Sequence, residues 1–253
     1  MTPLCRALAG LLLCLWAGTA IAEPSFPPLT GRIVDNAHLL TPADAQALRA
    51  KLEGLEKATG RQLVVATIPD LQGYAIEDYG YQLGRTWAIG RKNINDGVLL
   101  IVAPAEKKVR IEVGYGLEPV LTDALSSVII QQAVLPRFRE GNMAGGIMAG
   151  ADALIAQLQL PDDEAKARNT EAARQLAERQ DAGGGPVGIF WIIVIVAIFI
   201  LLFSGRGRRG PLIWGPGIGG GGWGGGGSFG GGGGGGFSGG GGSFGGGGAS
   251  GGW

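Results

Sequence analysis

The sequence predicts an α/β fold: a three-layer α/β/α sandwich with a mixed central sheet over residues 23–160, followed by a single transmembrane helix and a disordered glycine-rich tail. Three observations predict it. Apolar runs of strand length, QLVVATI (62–68) and GVLLIVA (97–103), alternate with segments of helical period, as in strands covered by helices. KVRIEVG (108–114) alternates apolar and charged residues and follows GVLLIVA through the turn APAEKK, so the sheet contains a hairpin. The span between the two strongly apolar segments, roughly 130 residues, is a usual size for one core.

The elements read in order as follows. Residues 1–22 carry Arg6, the run LAGLLLCLWAG and then AIA before Glu23, the layout of a cleaved secretory signal with Ala20 and Ala22 as its small residues. Cys5 and Cys14 both fall in it, so the mature chain has no disulfide, no thiol nucleophile and no cysteine-based zinc site. The first helix is set by Thr41 as N-cap, Pro42 in the first turn, a stripe of Leu48, Leu52 and Leu55, and a stop at Gly60. A second helix covers YAIEDYGYQLGRTWAIG, weakened by Gly80 and Gly84, with Ile76, Leu83 and Trp87 toward the core. The continuous apolar run 97–103 is a central strand; the alternation in 108–114 places Lys108, Arg110 and Glu112 on a wet face. Two further helices follow, TDALSSVIIQQAVLPRF and NMAGGIMAGADALIAQL, the second capped by Asn142.

Residues 161–186, polar and then glycine-rich, read as a flexible tether. The uncharged run VGIFWIIVIVAIFILLF (187–203) reaches about 26 Å as a helix, near the lower limit for a bilayer core. Arg206, Arg208 and Arg209 after it mark the cytoplasmic side, so the domain is expected outside the cytoplasmic membrane and residues 204–253 inside. That tail is mostly glycine, which supplies no side chain to bury and loses most entropy on ordering, hence the expectation of disorder. The formal net charge of +0 and the lack of a basic face exclude a nucleic-acid binder.

Four stretches in this order, VDNAHLLT (34–41), INDGVLLIV (94–102), VRIEVGYGLEPVLTD (109–123) and PRFREGNMAGGIMAG (136–150), resemble the TPM domain family. The resemblance spans residues 31–158, and the layout of signal, domain, anchor and glycine tail is that of its bacterial branch. It implies the α/β/α sandwich, divalent-cation binding in some members and an acid-phosphatase activity attributed to a few, including thylakoid-lumen proteins linked to photosystem repair. Asn142 departs from a pattern in which relatives carry an acid, so metal binding is not expected at that corner.

Candidate site residues are the acids at element ends. Asp35 sits in a turn before the first helix, Asp96 immediately before a central strand, and Glu118 and Asp123 follow the Gly114–Tyr115–Gly116 turn. Thr122 is an N-cap and Asp123 suits the positive end of the next helix, so Asp123 has a structural role as well. His38, the only histidine, cannot build a multi-histidine metal site and reads as a packing residue; a pair of Ser126 or Ser127 with it has no supporting pattern. No P-loop, nucleophile elbow, HExxH or EF-hand spacing occurs in the domain. Carboxylate and carbonyl oxygens are hard ligands, which suit Ca²⁺ or Mg²⁺ if Asp35, Asp96, Glu118 and Asp123 converge. Two functions follow as expectations. One is a membrane-tethered, cation-binding module that docks to another membrane or exported protein. The other is a metal-assisted phosphatase, with Asp96 or Asp123 as nucleophile or base and Arg110 as the phosphate contact.

Overall fold

The computed structural model describes residues 24–183 and 239–253. In chain order the elements are β1 (Ile33–Asp35), α1 (Pro42–Thr59), β2 (Gln62–Thr67), α2 (Ile76–Trp87), β3 (Gly97–Ala103) and β4 (Lys108–Gly114), then a 3-10 turn (Tyr115–Leu117). They continue with α3 (Asp123–Ile129), a π turn (Ile130–Val134), α4 (Leu135–Arg139), α5 (Met143–Leu158), α6 (Asp162–Gly183) and β5 (Phe244–Gly252).

The five strands pair in sequence order, β1-β2-β3-β4-β5. The first three are parallel, and β4 and β5 are antiparallel to their neighbours, so the sheet is mixed as expected. Each face of the sheet carries its own apolar core. On one, Val65, Leu100 and Ile111 pack with Leu48, Leu52 and Leu55 of α1 and with residues of α3 and α5. On the other, Val64, Leu99 and Ile101 pack under Ile76, Tyr79, Leu83 and Trp87 of α2.

The capping signals hold. Thr41 Oγ1 accepts the Asp44 amide, Gly60 ends α1 in the left-handed region, and Asn142 Oδ1 accepts the Gly145 amide at 2.8 Å. Pro136 explains the π turn. A proline clashes with the carbonyl four residues back and donates no amide, and the wider turn at 130–134 relieves both.

Four expectations are corrected. Asp35, expected in a turn, ends β1, a strand of three residues too short to show alternation. The face of β4 expected to be wet is closed, with Arg110 at 5% and Glu112 at 0% exposure, because α2 and β5 cover it. The first part of the tether is α6, a helix of 22 residues. Its face toward the domain carries Ala165 and Ala172, both buried, and Asn169. Asn169 Nδ2 donates to Pro119 O at 2.9 Å, and its Oδ1 accepts from Thr122 Oγ1 at 3.3 Å. Asn169→Ala removes these partners from a buried corner and is expected to lower stability by about 1–3 kcal/mol, read as an earlier urea midpoint.

The fourth correction concerns the tail, whose last residues are ordered as β5, the edge strand beside β4. Phe244 is fully buried against Gly84 of α2, and the Trp253 ring lies 4.5 Å from that of Phe138. Gly84, read from sequence as a weakness in the helix, is the space that admits Phe244. The expected signal segment 1–22 and membrane segment 187–203 lie outside the described residues. Among the described residues no helix is long and apolar enough to cross a membrane.

Candidate functional site

The parallel register fixes where the acids fall. Asp35 pairs level with Thr67, which pairs with Val102, at the carboxyl end of the parallel strands. Asp96 precedes Gly97 at the opposite end, so these two acids are about 20 Å apart along the sheet. β4 runs back toward the Asp96 end, and Glu118 and Asp123 therefore sit on that side. The four acids do not gather; the sheet separates Asp35 from the other three.

Asp35 is a turn clamp. Its oxygens accept the amides of Leu39 and Leu40, each at 3.0 Å, and the Thr67 hydroxyl at 2.5 Å. His38 in that turn is exposed with φ 54°, so it is a surface turn residue and not a packing one. Asp96 is 2% exposed and faces Arg91: Oδ1 accepts the Arg91 amide and Oδ2 accepts Nε, both at 2.7 Å. With its lone pairs so occupied, Asp96 organises the 90–96 loop.

Glu118 and Asp123 remain exposed and come together. They line one open depression with Thr122, Ala124 and Gly247. A Cβ built on Gly247 would lie 3.4 Å from Glu118 Oε1 and 3.7 Å from Asp123 Oδ1. Asp123 Oδ1 also accepts the Gly248 amide at 2.7 Å, so β5 forms one wall. The turn before Glu118 is built on close approach. Gly116 donates to Asn95 O at 3.1 Å, and a Cβ on Gly114 would sit against the same carbonyl.

Behind this rim lies a buried charged pair that sequence reading placed in solvent. Arg110 Nε donates to Glu112 Oε2 at 2.5 Å; NH1 donates to Ser250 Oγ at 3.0 Å and NH2 to Gly246 O at 2.9 Å. The guanidinium is thus fully engaged within the fold, which leaves it no face for a phosphate while β5 is in place. Burial pushes the Glu112 carboxyl up to about 7, the Asp123 charge adds to the rise, and Arg110 offsets only part of it. Glu112 Oε1 has no hydrogen-bond partner among the described residues. On β5, level with Arg110, the Ser250 hydroxyl also hydrogen-bonds Glu77 of α2 and holds it below the usual carboxylate range. Ser126 is fully buried and away from solvent, which removes it as a surface nucleophile.

Glu118 and Asp123 offer hard oxygen donors and form no ion pair among the described residues. That donor set fits a divalent cation whose remaining ligands are water and backbone carbonyls, the manner of Mg²⁺ and weakly held Ca²⁺. It is too small for an all-protein cage, and among the described residues no group of three or more acids, histidines or cysteines could hold a metal ion.

The sequence profile described as the TPM domain matches residues 33–157. The chain is similar to the solution structure of the N-terminal domain of a protein from P. gingivalis, with 34% identity, a TM-score of 0.48, and coverage of 51% of this chain and 82% of that one. It is also similar to the N-terminal domain of the cg2496 protein from Corynebacterium glutamicum, at 17% identity and TM-score 0.42, covering 53% of this chain and 83% of that one. A third likeness is to the BA42 protein from the psychrophilic bacterium Bizionia argentinensis, at 21% identity and TM-score 0.42, covering 47% and 81%. No curated protein matches the chain. With the profile spanning β1 to α5, this chain belongs to the TPM domain family.

Proposed function

We propose that this protein is an extracytoplasmic, membrane-anchored interaction module whose rim, Glu118 and Asp123, binds Ca²⁺ or Mg²⁺, in the service of membrane-protein maintenance. The observation that carries the reading is the depression lined by those two carboxylates, exposed and without an ion pair among the described residues. Anchoring is proposed through the uncharged apolar run 187–203, with no side of the membrane assigned to the chain after it. The cation would neutralise the rim and present open coordination positions to a partner's oxygens.

The phosphatase reading has less support in the geometry. Asp96 is held by Arg91, and Arg110 is held by Glu112, Ser250 and Gly246, which leaves Asp123 exposed but without the expected arginine contact for a phosphate.

A cation that binds only the folded state adds RT ln(1 + [L]/Kd), about 2.7 kcal/mol at a hundredfold excess over Kd. Millimolar Ca²⁺ or Mg²⁺ is expected to raise the melting temperature of the full chain. Glu118→Gln and Asp123→Asn are each expected to abolish that rise, while Asp35→Asn and Asp96→Asn keep it over a lowered baseline. A wild-type melting curve unmoved by either cation would remove the proposal. Phosphomonoester turnover that depends on metal and survives Glu118→Gln would replace it with the enzymatic reading.

A further inference from the structure

The edge of β4 has the anatomy of a peptide site, and its occupant is residues 239–253. The occupant is read along its whole length. The Lys92 amide donates to Gly240 O at 2.8 Å, and the Ser243 amide donates to Asn95 Oδ1 at 2.9 Å. Phe244 fills the slot at Gly84, and the Gly246 carbonyl meets Arg110 NH2. The Gly248 amide meets Asp123, the Ser250 hydroxyl bridges Arg110 and Glu77, and the Trp253 ring packs against that of Phe138 at a tilt of 60°.

The groove also selects by exclusion. A Cβ at Gly239 would strike Trp87 O, at Gly242 Ile89 O, at Gly245 the Tyr115 ring, at Gly248 Ile111 O, and at Gly251 Ile130. Every third residue must therefore lack a side chain, and Gly248 further has φ 129°. An ordinary strand, with side chains throughout, cannot lie here.

The same chain carries a near copy of this ligand. GGGGSFGGGG occurs at 224–233 and again at 239–248, identical over the Phe slot and four of the five close-approach glycines. The copies diverge afterwards: GGGFS follows the first, whereas ASGGW, with Ser250 and Trp253, completes the second. The two residues that bind outside the repeat explain which copy is seated.

A β5 paired with β4 has to lie in the compartment of the domain. A chain that crossed the bilayer once at 187–203 would hold residues 239–253 on the other side, out of reach of the β4 edge of every copy in that membrane. We infer that the β4 edge is a binding site for a glycine-rich peptide reading Phe, Ser and Trp at relative positions 1, 7 and 10, and that residues 239–253 reach it on the domain's own side of the membrane. The tail, expected in the cytoplasm, becomes a ligand of the domain. This inference stands apart from cation binding, since it uses backbone pairing and the Phe and Trp anchors.

Lys108 and Gly252 face each other in the register and are both exposed, which suits them to trapping the strand. The full chain, with Cys5 and Cys14 replaced by serine, would carry Lys108→Cys and Gly252→Cys in right-side-out membrane vesicles and be oxidised mildly. The expected result is a reducible disulfide within one chain, with Gly252→Cys alone labelled by an impermeant maleimide added outside. A disulfide-linked dimer also supports the site and assigns its occupant to a second copy. Adding Phe244→Ala and Trp253→Ala should cut the disulfide yield severalfold. Absence of the disulfide from vesicles in which the domain remains protease-resistant overturns the inference, from whichever face Gly252→Cys is labelled. An undiminished yield in the Phe244→Ala, Trp253→Ala chain overturns the proposed peptide selectivity.

Discussion

Arg110→Ala is expected to lower the free energy of unfolding by about 3–5 kcal/mol, the usual consequence of stripping a buried carboxylate of its cation. Glu112 is fully buried and takes its one strong charge partner from Arg110, at 2.5 Å. Its other oxygen has no hydrogen-bond partner among the described residues, and only the Gly246 amide lies beside the carboxyl to compensate. The same substitution frees Ser250 and the Gly246 carbonyl, which are the middle anchors of β5. Two readouts should therefore move together: the urea midpoint of the full chain, and the rate at which protease removes the residues after 239. Arg110→Lys keeps the charge but cannot reach Glu112, Ser250 and Gly246 at once, and should fall between wild type and alanine. A loss below about 1 kcal/mol for Arg110→Ala would mean that water reaches Glu112 and that β5 does not seal this face.

Stability should also fall as pH rises from about 4.5 to about 7, by about 3 kcal/mol, on account of Glu112. Its folded-state pKa is raised from 4.5 to about 7, chiefly by burial. The native state thus binds the proton more tightly than the unfolded chain does. The stabilisation is complete below the unfolded value and is lost as pH climbs through the folded one. The groups around this carboxyl are Arg110, the Gly246 amide and Asp123. Glu77 shifts in the opposite sense, so its contribution is lost only below its ordinary value of 4.5 and does not overlap the window. Thermal melts of the full chain at pH 5 and pH 8 measure the effect. In Glu112→Gln the difference between the two should shrink to the background of the remaining groups, whatever that substitution does to absolute stability. An identical slope in the variant would assign the pH dependence elsewhere.

The fold was legible wherever an element buries large apolar side chains. GVLLIVA and KVRIEVG mark β3 and β4 to the residue, and Thr41, the leucine stripe and Gly60 mark α1. Elements stabilised by small residues were not. α6 docks through Ala165, Asn169 and Ala172, whose spacing is helical but whose hydropathy is weak. β5 is mostly glycine and carries almost no hydropathy signal. Its reasons for ordering lie in what α2 and β4 offer it: the Gly84 slot, the Arg110 fork and the Phe138 ring. Missing β5 caused the second error, because alternation in β4 implies a wet face only if nothing covers it. The acids were placed correctly at element ends, yet their convergence depends on strand direction and on partners such as Arg91, which spacing does not encode.

Because β5 begins at Phe244 and pairs with β4, which ends at Gly114, the sheet is completed only after roughly 130 further residues have been synthesised. At about 5–20 residues per second the β4 edge waits on the order of 10 s for its neighbour, longer than most domains of this size need to collapse. Through that interval Arg110 and Glu112 stand uncovered at an open edge, which deters other strands from adding there. A chain cut between α6 and β5 lacks Phe244 and Trp253 and cannot close the edge. Completion of the fold thereby reports that residues 239–253 have been made and remain joined to the domain.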